Sequence, residues 1–254
     1  MKTFWFLFIG LFSLPTWANN CEQVDNQLSQ HYSRMQSSGS YTTKAYIEGM
    51  LEQETEAFKK ALAFLKDSAS WQCNFEKAQN EGVAIHTSAD KQLRAFSWDW
   101  QTGGTMHEFA YLLQYRLPNG KTETLLVDNY DRVIAVQQAT LNQKTYYWVM
   151  SHFTGDGRNH GLGANLYQIT EKGVVPAKMI KTSTLTNAIS FAYDPIEASE
   201  NRKVNRVAFI YDDNAKTLRF PVIGKENAQY GSGAPTGKWI EYRFNGQYFI
   251  REKN

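Results

Sequence analysis

The segment SHFTGDGRNHGLG, residues 151–163, sets His152, Asp156 and His160 at intervals of four among four glycines. Two imidazoles and a carboxylate are the ligand types of a catalytic zinc or iron site. An ion held there would activate water, so the chemistry expected of such a segment is metal-assisted hydrolysis. A glycine loop carried by rigid strands is able to converge the three side chains. The plainer reading is a long polar loop with solvated histidines, because nothing in the spacing orients the imidazoles. Apart from such a divalent ion no cofactor is expected: the alternating carboxylates of a calcium loop are absent, as are the glycine patterns that cradle phosphates.

A second group of reactive side chains lies in SWDWQTGGTMHEF, residues 97–109. Gly103-Gly104 fits a two-residue hairpin turn, since glycine supplies the positive φ such a turn requires. In that register Trp100 faces His107, Trp98 faces Phe109, and Asp99 faces Glu108. Two carboxylates directly opposite must share a proton, hold a cation or point into solvent. A longer loop would shift the register and dissolve the pair. His107-Glu108 opens like a zinc-peptidase motif, but Tyr111 stands where the second histidine belongs and the segment reads as a strand. Ser232, in AQYGSGAPTGKW (228–239), has Gly231 and Gly233 directly beside it. A nucleophile elbow instead spaces each glycine one residue away and continues into a helix, so this reads as a loop.

The elements that must position these groups are mainly strands. From about residue 82 the apolar period is two, in runs such as LRAFSWDW, EFAYLLQYRL, RVIAVQQ, KTYYWVMSHF, ANLYQI, AISFAY, RVAFIY, TLRFPVI, KWIEYRF and QYFIRE. Tight turns at Pro118–Gly120, Glu171–Gly173, Asp212–Asn214 and Asn245-Gly246 separate several of them, which implies antiparallel pairing. Upstream the period is that of a helix. Val24, Leu28, His31 and Tyr32 form one stripe. Ile47, Met50, Leu51, Phe58, Leu62 and Leu65 form another, capped by Thr42 or Thr43, with Glu52, Glu54, Glu56, Lys59 and Lys60 mainly opposite. The expected fold is mainly β with an N-terminal helical segment: residues 19–80 helical, and 81–254 an antiparallel β-meander arranged as a sandwich, an open barrel or propeller-like sheets.

SWD followed by TGGTMH resembles a pattern in uncharacterised exported bacterial proteins rich in β-structure, and YYWVMS (146–151) adds to the likeness. The resemblance implies export and a β-rich fold, and it carries no activity across. Export is also read from residues 1–18. Lys2 precedes the apolar run FWFLFIGLF, which is too short to span a bilayer, and TWA supplies small residues for cleavage after Ala18. Asn19 and Asn20 precede Cys21, which excludes a lipid-modified N-terminal cysteine. Cys21 and Cys73 are the only two cysteines, and an isolated pair in an oxidising compartment reads as a disulfide.

With 27 basic and 25 acidic residues, the chain has no electrostatic reason to bind nucleic acid or anionic lipid. Its 14 Tyr and 7 Trp suit cross-strand packing, and an exposed row of them would suit a sugar or peptide surface. The leading expectation is therefore a soluble periplasmic or secreted binding protein, for a protein, peptide or glycan of the cell envelope. An inhibitor or immunity-type protein is one form of it. The alternative is a hydrolase using the 151–163 loop.

Overall fold

The computed structural model describes residues 16–39, 47, 49–200, 207–224 and 232–252. Most of the expected leader and the helix cap at Thr42 or Thr43 lie outside the described residues. Helix α1 (Thr16–Ser38) and helix α2 (Met50–Leu62) pack on one another. Two 3-10 turns, Ala63–Lys66 and Ser68–Gln72, and a short helix α3 (Glu76–Asn80) follow. Val24, Leu28, Tyr32 and Met35 recur at helical spacing along α1 and are all buried, as are Phe58, Leu62 and Leu65. The long periodic run does not stay α-helical to its end. It tightens at Ala63 and stops at Asp67, whose carboxylate accepts the Ala69 N–H.

Two residues depart from the expected stripes. Ile47 is exposed. Glu54, expected on the outer face, is buried where the helices cross, and its carboxylate takes hydrogen bonds from His31 (2.6 Å) and Arg34 (3.3 Å). A charge in that position is tolerable because it is paired.

Strands β1 (Ala84–Thr87), β2 (Leu93–Asp99), β3 (Phe109–Arg116) and β4 (Thr122–Val127) form a first sheet in that order. Strands β5 (Arg132–Leu141), β6 (Lys144–Thr154) and β7 (His160–Thr170) form the second, and β8 (Gly173–Pro176) pairs with the end of β7. The chain then gives β9 (Ile180–Lys181) and β10 (Leu185–Thr186) to a third sheet and returns β11 (Ala188–Tyr193) to the other half of β7. After helix α4 (Pro195–Glu200), strands β12 (Ile210–Asp212), β13 (Thr217–Ile223), β14 (Pro235–Phe244) and β15 (Phe249–Arg251) complete the third sheet, in the order β10-β9-β15-β14-β13-β12. All pairings are antiparallel except β15 with β9.

Of the expected architectures, the sandwich is the one found, and it is doubled. The helices cover one face of the first sheet through Phe96, Trp98, Ala110 and Leu112. The other face, carrying Leu93, Ala95, Tyr111 and Leu113, meets Val133, Val136, Tyr147 and Val149 of the second sheet. The reverse side of that second sheet carries Tyr146, Trp148, Met150 and Leu162 against Leu218, Phe220 and Phe249 of the third. Alternation at period two thus feeds two cores from one strand, β6.

Cys21 of α1 is bonded to Cys73, just past the second 3-10 turn, with Cα atoms 5.3 Å apart. Buried Arg94 of β2 fastens the same segment to the sheet. It donates to the carbonyls of Ser70 (2.9 Å) and Cys73 (3.1 Å) and to the Gln114 side chain, and it lies over the rings of Trp71, Phe75 and Phe96. Burial, reinforced by the charge of Arg116, pushes this guanidinium down to about 10, still protonated at neutral pH. Among the described residues no helix is long and apolar enough to cross a membrane.

The disulfide spans 52 residues of sequence, and closing a loop of that length removes about 4 kcal/mol of unfolded-state entropy. Cys21→Ser should lose most of that stability in urea denaturation. The near-ultraviolet signal of Trp148, in the core between the second and third sheets, should be unchanged, because that core lies outside the closed loop.

Candidate functional site

The hairpin between β2 and β3 does not close at Gly103-Gly104 in the two-residue way. Asp99 pairs with Phe109 rather than Glu108, and the Trp100 N–H reaches the Glu108 carbonyl at 2.8 Å. The register therefore moves by one residue, which is enough to turn a side chain to the other face. Side chains close the longer loop. Asp99 Oδ1 accepts the Gln101 N–H (2.7 Å), Asp99 Oδ2 meets His107 Nδ1 (2.7 Å), and the Thr102 hydroxyl donates to Glu108. Gly103 and Gly104 both have positive φ, and a Cβ at Gly103 would stand 2.0 Å from the Met106 carbonyl oxygen. The two carboxylates thus have separate partners and form no hydrogen-bonded pair. Burial pushes Asp99 above the ordinary aspartate range, against the hydrogen bonds from His107 and Gln101.

The loop lies beside a cleft that opens where the first sheet stops covering the second. Asp131, at the end of the β4–β5 connection, stands in it. Its Oδ2 accepts from the Asn129 amide (2.9 Å) and the buried Ser151 hydroxyl (3.1 Å). Burial raises this carboxyl, and the same two hydrogen bonds oppose the rise. Ser151 and Phe153 sit two residues apart on β6 and so share a face. They lie against Gly161 and Gly163 of β7, where a Cβ would come within 2.5 Å of the Phe153 ring and 2.9 Å of Ser151 Oγ respectively. Only glycine at 161 lets that ring lie against the neighbouring strand.

Two cavities adjoin here. One, of about 500 Å³, has Gly161, Gly163, Asn165 and Ser190 among its lining. The other, of about 360 Å³, reaches Met106, His107, Glu108 and Tyr130. Asn129, Asp131 and Phe153 belong to both, and among the described residues neither has a lysine or arginine in its lining. A carboxylate fixed by two donors, amides and a ring against a backbone floor can hold a ligand that offers hydrogen-bond donors and an apolar face.

The 151–163 segment is only partly a loop: β6 runs to Thr154 and β7 starts at His160. His152 and His160 do come together, with Nε2 and Nδ1 3.1 Å apart. They lie on the opposite side of the sheet from Ser151 and Phe153. Asp156 does not join them: it is exposed, and its Oδ1 accepts the Arg158 N–H at 2.7 Å. Among the described residues no group of three or more His, Cys, Asp and Glu is placed to hold a metal ion. Burial, then the charges of His160 and Arg132, push His152 down to about 4, which leaves it neutral at physiological pH.

The turn is braced from outside. Arg158 pairs with buried Asp194 (2.7 Å), and the Ser232 hydroxyl donates to Asn159 Oδ1 (2.8 Å), so Ser232 supports a loop as its sequence context implied. Sequence reasoning missed the cleft residues Asn129, Asp131 and Phe153, and Ser151 that holds Asp131. The available signal was the polar run Asp128-Asn129-Tyr130-Asp131 between two alternating segments. No protein-family model matches the chain, and no curated protein matches it.

Asp131 and Asp194 should titrate in opposite directions. Burial raises Asp131; ionising it therefore costs folding free energy, and its contribution worsens as pH rises through the folded value. Burial also acts to raise Asp194, but hydrogen bonds from Arg158 and from the Glu197 and Ile196 N–H groups outweigh it and hold the carboxyl low. Its contribution is present above the unfolded value and is lost as pH falls through the folded one. Carboxyl-carbon NMR titration should place Asp131 above and Asp194 below 3.8. Asp194→Ala should lose about 1 kcal/mol at neutral pH by removing the acceptor of Arg158 and of the Ile196 and Glu197 N–H groups, and less in acid.

Proposed function

We propose that the chain is an exported cell-envelope binding protein that holds an uncharged glycan segment in the cleft between the β2–β3 loop and the second sheet. The observation that carries this reading is the meeting of the two cavities at Asn129, Asp131 and Phe153. A sugar presents hydroxyl donors on its rim and an apolar face of C–H groups. The Asp131 carboxylate, oriented through Oδ2, offers Oδ1 to a hydroxyl. Asn129, Asn165 and Ser190 supply further hydrogen bonds, and Phe153 and exposed Tyr130 supply flat apolar surface. Among the described residues no lysine or arginine lines the cleft to hold an anionic ligand. The apolar leader and the oxidised cysteine pair support a periplasmic or secreted location.

The test is calorimetric titration of the mature protein with soluble neutral and acidic envelope glycan fragments. Neutral fragments should bind, and Asp131→Ala and Phe153→Ala should each weaken them at least about tenfold, or 1.4 kcal/mol. Absence of binding across the panel, equal affinity in both variants, or turnover of the fragments would overturn the reading.

A further inference from the structure

The reverse face of β6 carries a different constellation. His152 on β6 and His160 on β7 are held by one antiparallel ladder, in which Leu162 stands opposite His152 and Thr154 opposite His160. The two histidines are thus a diagonal cross-strand pair, with spacing set by backbone hydrogen bonds rather than by a flexible loop. We propose that His152 Nε2 and His160 Nδ1 form a bidentate site for a borderline divalent ion, zinc foremost, whose remaining positions are filled by water or an external ligand.

The separation fits. Two nitrogens each about 2.0–2.1 Å from one zinc ion at a near-tetrahedral angle lie about 3.3 Å apart, and here they lie 3.1 Å apart. Little movement is needed to admit the ion. The protons also balance. Binding requires a lone pair from both facing nitrogens, so a ring whose facing nitrogen carries the shared proton moves it to its other nitrogen.

Imidazole without carboxylate selects zinc, copper or nickel over magnesium or calcium. Asp156 is not a ligand, because it is turned to the Arg158 N–H. The surroundings limit the affinity. Arg132 stands opposite His152 in the β5–β6 ladder, and its positive charge acts on that ring. The Tyr193 ring packs edge-on at 6.1 Å from His160. An ion at this point would bind β6 to β7 at the base of the Gly155–Asn159 turn, on the opposite side of the sheet from the glycan cleft.

The mature chain, stripped with chelator, is titrated with zinc chloride at neutral pH, and the copper(II) form is examined by electron paramagnetic resonance. One zinc should bind per chain, and the copper spectrum should report two equatorial nitrogens. His160→Asn keeps a hydrogen-bonding side chain but removes the ligand; it should weaken zinc at least tenfold and leave one nitrogen on copper. His152→Asn should do the same, whereas His86→Gln, on β1, should change neither. Failure of the wild-type protein to bind zinc would show a plain hydrogen-bonded pair and overturn the proposal. Binding undiminished in both variants would overturn it too. The copper spectrum of wild-type protein decides the matter even where a variant does not fold.

Discussion

Strand β6 is covered on both faces, and the rest of the molecule is arranged around that constraint. Tyr147, Val149 and Ser151 face the first sheet, while Tyr146, Trp148 and Met150 face the third, and all six are buried. A slip of one residue would exchange the two sets and ruin both cores at once, so the register of β6 is fixed more firmly than that of a strand with one wet face. Near its end the covering sheets part, and the same alternation continues into the open. Phe153 emerges on one side, and His152 emerges on the other. The candidate sites are the uncovered continuation of the two cores, and this is why their geometry is stiff.

The helical layer is attached by a different device. It touches the stack through the outer face of the first sheet, and its C-terminal portion carries few long apolar side chains. The Cys21–Cys73 bond and the Arg94 guanidinium compensate at the same spot, since Arg94 donates to the carbonyl of Cys73 itself. A buried cation satisfied by two carbonyls, an amide and three ring faces avoids the cost of burying a second charge. Tyr32 extends the attachment toward the cleft. Its hydroxyl accepts the Asp99 N–H at 3.2 Å, at the base of the loop that presents His107 and Glu108. Helix, loop and cleft are therefore mechanically connected.

Much of the fold was legible because period-two runs are long and aromatic: the ten alternating segments named from sequence all contain strands. The strands that escaped notice are weaker signals. β1, β8, β9 and β10 have two to four residues, and β4, an edge strand, leaves Leu125 and Leu126 exposed. Glu54 escaped because a helical stripe shows which residues face inward but not which polar one sits at the crossing of two helices. The Asp99–Glu108 pairing failed for a related reason. Glycine content marked the turn correctly, yet the loop length is decided by Asp99, Thr102 and Glu108 bonding within it. The histidines at 152 and 160 were visible, because a hairpin brings such positions together, whereas Asp156 belongs to its tip. The cleft was not visible, because Asp131 meets Ser151 and Phe153 through a β5–β6 ladder whose register shifts between Val133 and Ala135, and the β2–β3 loop joins them only through packing.

The claim that the two faces of β6 end in two separate sites is tested most directly by amide NMR of the labelled protein. A neutral envelope glycan should be titrated in first, and zinc second. The account predicts that the glycan shifts the amides of Asn129, Asp131, Phe153 and Gly161–Asn165 while leaving the side-chain nitrogens of His152 and His160 unmoved, and that zinc then moves those nitrogens in the glycan-bound protein. A glycan response centred instead on the third sheet would contradict it.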